Sequence, residues 1–189
     1  PTRENLTQLT AYAAELEQYL GYKLQIISGG GTCSFHQMLR ERLPQEVNSL
    51  RIGEALLLGY DTAFNDHFSM LNHDTMEIEA ELVEVRTKPT LPIGLIGHDA
   101  FGNVPVFEDR GSRRRGILAI GKQDVRIEGL APLDEGVKII TASSDHLLVD
   151  IEDAPKDYRT GDILRFRPDY TAMLSASTSP YVTKIFEDQ

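Results

Sequence analysis

The chain has 189 residues, of which 41% are hydrophobic, so it can bury a real core and is not a disordered tail. Its 29 acidic residues outweigh 19 basic ones for a formal charge of −10, which repels nucleic-acid phosphates and sets nucleic acid aside as a partner. No apolar run approaches the roughly 18 residues of a spanning helix, which sets a membrane aside as well. The single cysteine, Cys33, cannot close an internal disulfide, a composition that suits a cytoplasmic protein.

In chain order, Leu6, Leu9, Ala13, Leu16 and Leu20 recur at three- and four-residue spacing, predicting an amphipathic helix stopped by Gly21. Following Pro1 with no signal-peptide pattern and no strand before it, this helix reads as part of a longer α/β protein. Lys23 to Ile27 reads as a short strand leading into Ser28-Gly29-Gly30-Gly31-Thr32, whose glycines allow close backbone approach. Ser34 and Gln37 make a capping-box pattern that predicts a helix from about Phe35 to Leu43, ended by Pro44. Ser49 to Leu58 reads as a mostly apolar strand interrupted by Arg51, Gly53 and Glu54. The order helix, strand, glycine-rich loop, helix, strand is that of a parallel α/β fold. Ligands gather there at the C-terminal ends of the strands, here Ser28–Ser34 and Arg51–Glu54.

Asp61–Asn72 reads as a loop, and beyond about Asp74 the pattern changes. Met76, Ile78, Ala80, Leu82 and Val85 approximate period-two alternation against Glu77, Glu79, Glu81 and Glu84, as a half-buried strand requires. Further short strands are expected at Leu91–Leu95, Gly116–Ile120, Val137–Ala142, Leu147–Ile151, Ile163–Phe166 and Tyr181–Phe186. The expected organisation is therefore an α/β segment over 1–73 and an all-β domain over 74–189. Arg110, Arg113, Arg114 and Arg115, the one basic cluster, read as a solvated turn.

A glycine-rich loop that opens a helix exposes backbone N–H groups and the positive end of the helix dipole, which together favour a phosphate. Thr32 and Ser34 add hydroxyls to Gly30 and its neighbours, although three consecutive glycines fit no dinucleotide or Walker pattern and a plain tight turn is the alternative. Arg51 is more informative, because a guanidinium within an apolar strand needs an ion pair or a ligand to offset its desolvation. The backbone amides of Gly53 and Glu54 fall where they could meet the same phosphate.

These residues resemble a known family. Ile27-Ser28-Gly29-Gly30-Gly31-Thr32-Cys33-Ser34 and Leu50-Arg51-Ile52-Gly53-Glu54-Ala55-Leu56-Leu57-Leu58-Gly59 are similar to the phosphate loop and the last barrel strand of fold-type III amino-acid racemases. Ile96 to Asn103, Val106 to Gly111, Ala119 to Val125, Ala142-Ser143-Ser144-Asp145-His146 and Thr178-Ser179-Pro180-Tyr181-Val182 resemble the ornithine-racemase branch of the alanine racemase family.

The resemblance implies the C-terminal strands and helices of a (β/α)8 barrel over 1–73, followed by a C-terminal β-domain over 74–189. It implies pyridoxal 5'-phosphate as cofactor and a homodimer whose active sites borrow residues from the partner's β-domain. Arg51 would then hold the pyridine nitrogen. Arginine does not hand over its proton, so the ring nitrogen stays unprotonated and proton exchange at Cα is favoured over transamination. Gly30, Thr32, Ser34, Gly53, Glu54 and Tyr170 would bind the phosphate.

Two departures from the family pattern bear on chemistry. The family's tyrosine base lies in a Gly-Tyr-x-Asp-Gly segment, matched here by Gly97-His98-Asp99-Ala100-Phe101. His98 or Asp99 is then the candidate second base, with a turn histidine and its capping aspartate as the alternative. A family methionine near the substrate carboxylate is matched by Ser144. The Schiff-base lysine belongs to the first barrel strand, whose context none of Lys23, Lys88, Lys122, Lys138, Lys156 and Lys184 shares. The expectation is part of an amino-acid racemase for ornithine or another basic amino acid, inactive without the N-terminal half of the barrel. The alternatives are a non-catalytic dimerisation module with a vestigial phosphate loop, and a sugar-phosphate barrel enzyme.

Overall fold

In the computed structural model, residues 2–98, 102, 104, 106 and 108–187 are described, and the chain divides after Met76 into two compact units.

The first unit opens with α1, Arg3–Leu20. Thr2 and Asn5 cap it reciprocally, and Gly21, at φ 76°, ends it by donating its N–H to the Glu17 carbonyl at 2.9 Å. Leu6 and Ala13 of the expected face are buried, whereas Leu16 and Leu20 are exposed. The short strand expected over Lys23–Ile27 does not form. A single parallel bridge joins Ser28 to Ser49, and an Asn48 side chain replaces the missing ladder. Its Oδ1 accepts from the Ile27 N–H and its Nδ2 donates to the Gln25 carbonyl, each at 2.9 Å.

The second helix, α2, covers Thr32–Arg40, starting before and ending earlier than the capping-box pattern predicts. Gly31 is its N-cap and, having no side chain, makes no capping bond; Ser34 falls inside the helix, and its hydroxyl donates to the Gly29 carbonyl at 2.5 Å. The strand expected over Ser49–Leu58 is also replaced. Gly53 starts a short helix, α3, Glu54–Leu58, and the Leu57 N–H donates back to the Gly53 carbonyl at 3.0 Å. Within Asp61–Asn72, β1 (Tyr60–Asp61) and β2 (Asp66–His67) form a small hairpin around Asn65, which adopts φ 52°.

The second unit is built on a six-stranded antiparallel sheet in the order β5-β8-β3-β4-β7-β6. Its strands are β3 (Ile78–Pro89), β4 (Ser112–Leu118), β5 (Leu130–Pro132), β6 (Lys138–Ala142), β7 (Leu147–Asp150) and β8 (Ile163–Pro168). The expected alternation in β3 holds, with Ile78, Ala80 and Leu82 buried and Glu79 and Glu81 exposed. A bulge at Val83 shifts the register between β3 and β4. No strand forms at Leu91–Leu95 or Tyr181–Phe186, where Ile93, Leu95, Tyr181 and Phe186 are exposed and have no sheet edge to bury them. A helix that the turn-rich reading passed over, α4 (Tyr170–Thr178), is capped by Asp169 and lays Ala172 and Ala176 into the core.

Gly116 lies where the apolar core closes on β4: a Cβ there would stand 2.4 Å from Leu82 Cδ2 and 3.2 Å from Val149 Cγ2. The arginine cluster is not a solvated turn, because Arg113, Arg114 and Arg115 lie within β4. Arg113 gives Asp150 two hydrogen bonds, at 2.6 and 3.1 Å, with side chains only 14% and 6% exposed. On the opposite face, Arg114 pairs with Asp157 at 2.6 Å and donates to the Tyr158 carbonyl. Burial is the largest single influence on the Asp150 carboxyl and raises it, but the Arg113 hydrogen bonds, the Glu152 N–H and the Arg113 charge together outweigh burial and hold the group below the usual carboxylate range.

Gly116→Ala forces a methyl into filled space and is expected to cost about 1–3 kcal/mol in urea unfolding. Asp150, with a depressed pKa, contributes stability that is full above the ordinary carboxylate value near ~4 and fades as pH falls through its folded value. Arg113→Met leaves that carboxylate buried without its counter-charge, so urea unfolding should show a loss of stability at neutral pH that shrinks as acid protonates Asp150.

Candidate functional site

Two segments of the first unit run side by side and set the candidate site. The Gly29 N–H donates to the Ser49 carbonyl at 2.9 Å, and the Arg51 N–H donates to the Gly30 carbonyl at 2.7 Å. One step further on, the Ala55 N–H reaches the Thr32 hydroxyl at 3.3 Å. The start of α2 and the turn Arg51–Glu54 are thereby fixed against each other. Of the first N–H groups of α2, those of Ser34 and Phe35 turn back to the Gly31 carbonyl. Helix geometry gives the preceding ones, at Thr32 and Cys33, no partner within the helix, so they are available to an anion.

The glycines are required by geometry. Gly30 adopts φ 111° and a Cβ there would stand 2.7 Å from Ser34 Oγ, while one on Gly31 would press to 3.1 Å from the Arg51 carbonyl oxygen. Gly53 has open space where a side chain would be, so a ligand can reach its backbone. Arg51 is exposed, and among the described residues no carboxylate pairs with it. The ion-pair alternative for Arg51 therefore finds no support within the described residues. The Glu54 carboxylate accepts from the Thr62 N–H at 3.2 Å and from the Thr62 hydroxyl, which leaves its backbone as the part facing the turn.

The structure thus gathers Gly30, Thr32, Arg51, Gly53 and Glu54 at one place. Ser34 stands beside them as a fully buried latch on the Gly29 carbonyl. The other candidates belong to the second unit. Tyr170 begins α4 and is 40% exposed. Ser144 lies exposed in the turn between β6 and β7, where its carbonyl accepts from the Gln123 N–H at 3.0 Å. His98 is exposed in irregular backbone, and Asp99 lies outside the described residues.

Two residues escaped the sequence reading. Asn48 positions the loop, as described above, and only its place opposite Ile27 reveals this. His36, on α2, is 8% exposed and stacks on Phe64 at 5.1 Å and 17° and edge-on to Phe68 at 5.4 Å. Its Nε2 lies 3.7 Å from Asp66 Oδ2, and neither ring nitrogen has a hydrogen-bond partner. The density of Phe and His in Phe35-His36 and Phe64 to Phe68 was the available signal. Among the described residues, no group of three or more His, Cys, Asp or Glu could hold a metal ion, and no helix is long and apolar enough to cross a membrane.

Asn48→Ala removes both side-chain bonds to Gln25 and Ile27, worth about 0.5–1.5 kcal/mol each. Amide exchange at Ile27 is expected to accelerate by roughly tenfold or more, while exchange in the β4 amides stays unchanged.

No protein-family model matches the sequence. Among curated proteins, the chain is 45% identical over 184 residues to an ornithine racemase from Acetoanaerobium sticklandii, covering 97% of this chain and 52% of that protein. It is 43% identical over 187 residues to a lysine racemase from Thermotoga maritima, covering 99% of this chain and 52% of that protein. Among solved structures, it resembles an alanine racemase from Bartonella henselae with covalently bound pyridoxal phosphate. That match has a TM-score of 0.56 and 19% identity, covering 93% of this chain and 46% of the other. The chain spans about half the length of the curated relatives it matches. Sequence relatives and fold together place it with the fold-type III amino-acid racemases, as their C-terminal part.

Proposed function

We propose that this chain supplies the phosphate- and ring-nitrogen-binding side of a pyridoxal 5'-phosphate site in a racemase for ornithine or another basic amino acid. The observation that carries the reading is the crossing of Gly30–Thr32 with Arg51–Ala55, locked at 2.7 Å between the Arg51 N–H and the Gly30 carbonyl. That crossing holds the Arg51 backbone beside the start of α2, and a guanidinium without a carboxylate partner among the described residues together with helix-start N–H groups is a donor set that fits an anionic tail and a heteroaromatic nitrogen. The printed names of the relatives, an ornithine and a lysine racemase, and the pyridoxal phosphate of the Bartonella protein support the same reading.

When bound, pyridoxal phosphate supplies an electron sink that lets the Cα proton of an amino acid leave and return. Thr32, with the amides of α2, Gly53 and Glu54, would hold the phosphate, and Tyr170 is the further phosphate-binding hydroxyl that the family resemblance implies. Arg51 would stand toward the ring nitrogen and, as a group that keeps its own proton, would favour racemisation over amino transfer. His98 or Asp99 exchanges the proton on one face of the substrate, and Ser144 lies near its carboxylate.

Residues 1–73 act as the C-terminal portion of a barrel, because their single parallel bridge provides too little sheet to stand as one. The rest of that barrel comes from outside these 189 residues, as the half-length match to the relatives suggests. The 74–189 β-domain joins a second copy in a cytoplasmic homodimer.

Titration of the chain with pyridoxal phosphate, followed by phosphorus-31 NMR, tests the cradle. Saturable binding is expected, weakened about tenfold or more, some 1.4 kcal/mol, by Arg51→Met and by Thr32→Val. Absence of any saturable binding would favour the non-catalytic interaction module.

A further inference from the structure

One face of the second unit's sheet holds a cation, Arg115, that no carboxylate among the described residues compensates. Arg115 on β4, Asp150 on β7 and Lys138 on β6 are successive cross-strand partners, so their side chains stand in a row on one face. Arg113, two residues before Arg115, shares that face. It takes both oxygens of Asp150, and its Nη2 also reaches Asp153 at 2.7 Å. The Lys138 ammonium holds the same Asp153 at 2.8 Å. Two cations and two carboxylates therefore close on one another. Arg110 is matched in turn by Glu108 at 3.3 Å.

Arg115 is left over. Its Nε is buried with no hydrogen-bond partner, and its Nη2 makes only a 3.3 Å bond to the neutral Thr90 carbonyl. A buried donor without an acceptor is costly, and one on a charged group more so. Arg115 lines an open cavity of about 250 Å³ in which Val106, Ile139 and Ile140 are the apolar part, and Glu108 and Asp150 add carboxylates beside Arg110 and Lys138. A guanidinium edge presents two parallel N–H groups that match the two oxygens of a carboxylate. One unmatched positive charge calls for one negative charge: the aliphatic side chains take a short hydrocarbon, while the carboxylates already in the lining disfavour the higher charge of a phosphate.

We propose that this cavity binds a small aliphatic monocarboxylate, with its carboxylate on Arg115 and its chain against Ile139 and Ile140. The site is independent of the cofactor-binding loop, since every residue that lines it belongs to the second unit.

The test is an NMR titration of the chain with sodium butyrate at constant ionic strength, reading the arginine Nε–H signals. The Arg115 signal is expected to shift saturably while that of Arg126, paired on the surface with Glu128, does not. Arg115→Lys keeps the charge but loses the fork, and should weaken butyrate at least tenfold. Three results would overturn the proposal: an equal shift with sodium chloride alone, unchanged affinity in Arg115→Lys, or tighter binding of inorganic phosphate than of butyrate. Should the variant fail to fold, the wild-type titrations with the three salts decide by themselves.

Discussion

Everything at the candidate site hangs on the register between two loop segments, fixed by the Arg51 N–H on the Gly30 carbonyl and the Gly29 N–H on the Ser49 carbonyl. A slip of one residue would turn Arg51 to the other side of its segment and part Thr32 from Ala55. Two further devices resist that slip. Asn48 fixes Gln25 and Ile27 from one side, and the Ser34 hydroxyl fixes the Gly29 carbonyl from within. The glycines follow from the same constraint, because Gly29 must fit against Val47, Leu50 and Leu6, and Gly30 against Ser34. The glycine-rich loop is thus shaped by backbone approach, with few side chains of its own.

The second unit meets a different problem, that of carrying three consecutive arginines in a central strand. Strand alternation sends Arg113 and Arg115 to one face and Arg114 to the other. Arg114 is answered by Asp157 and the Tyr158 carbonyl, and Arg113 by Asp150 and Asp153. Separating a pair as buried as Arg113 and Asp150 would leave the carboxylate buried without its main counter-charge, so the pair helps tie β4 to β7 in register. Tyr158, wholly buried, is treated likewise: burial and its hydrogen bond to Asp134 push its phenol above the usual range and keep it neutral.

The kinship with amino-acid racemases fits this division of labour. One unit carries a glycine-rich loop of backbone donors and an arginine, Arg51, without a carboxylate partner among the described residues, and the other carries an antiparallel sheet. The first unit has little strand pairing of its own beyond the Ser28–Ser49 bridge and the small β1–β2 hairpin.

By itself the sequence determined what depends on local pattern. The 3.6-residue repeat of α1, the alternation of Ile78, Ala80 and Leu82, and the short strands β6, β7 and β8 were legible because each writes its burial into neighbouring residues. Gly30, Thr32, Arg51 and Gly53 were legible as a candidate group because glycine and arginine are unusual where they stand. What the chain could not announce were contacts made across long separations. The conversion of Lys23–Ile27 and Ser49–Gly53 from strands into bridged loops rests on Asn48, 21 residues from Ile27. The burial of His36 among Phe64 and Phe68 and the capture of Arg113 by Asp150, 37 residues away, are of the same kind. A side chain's partner is chosen by packing in three dimensions, and only the tertiary structure decided which charges were neutralised and which were left open.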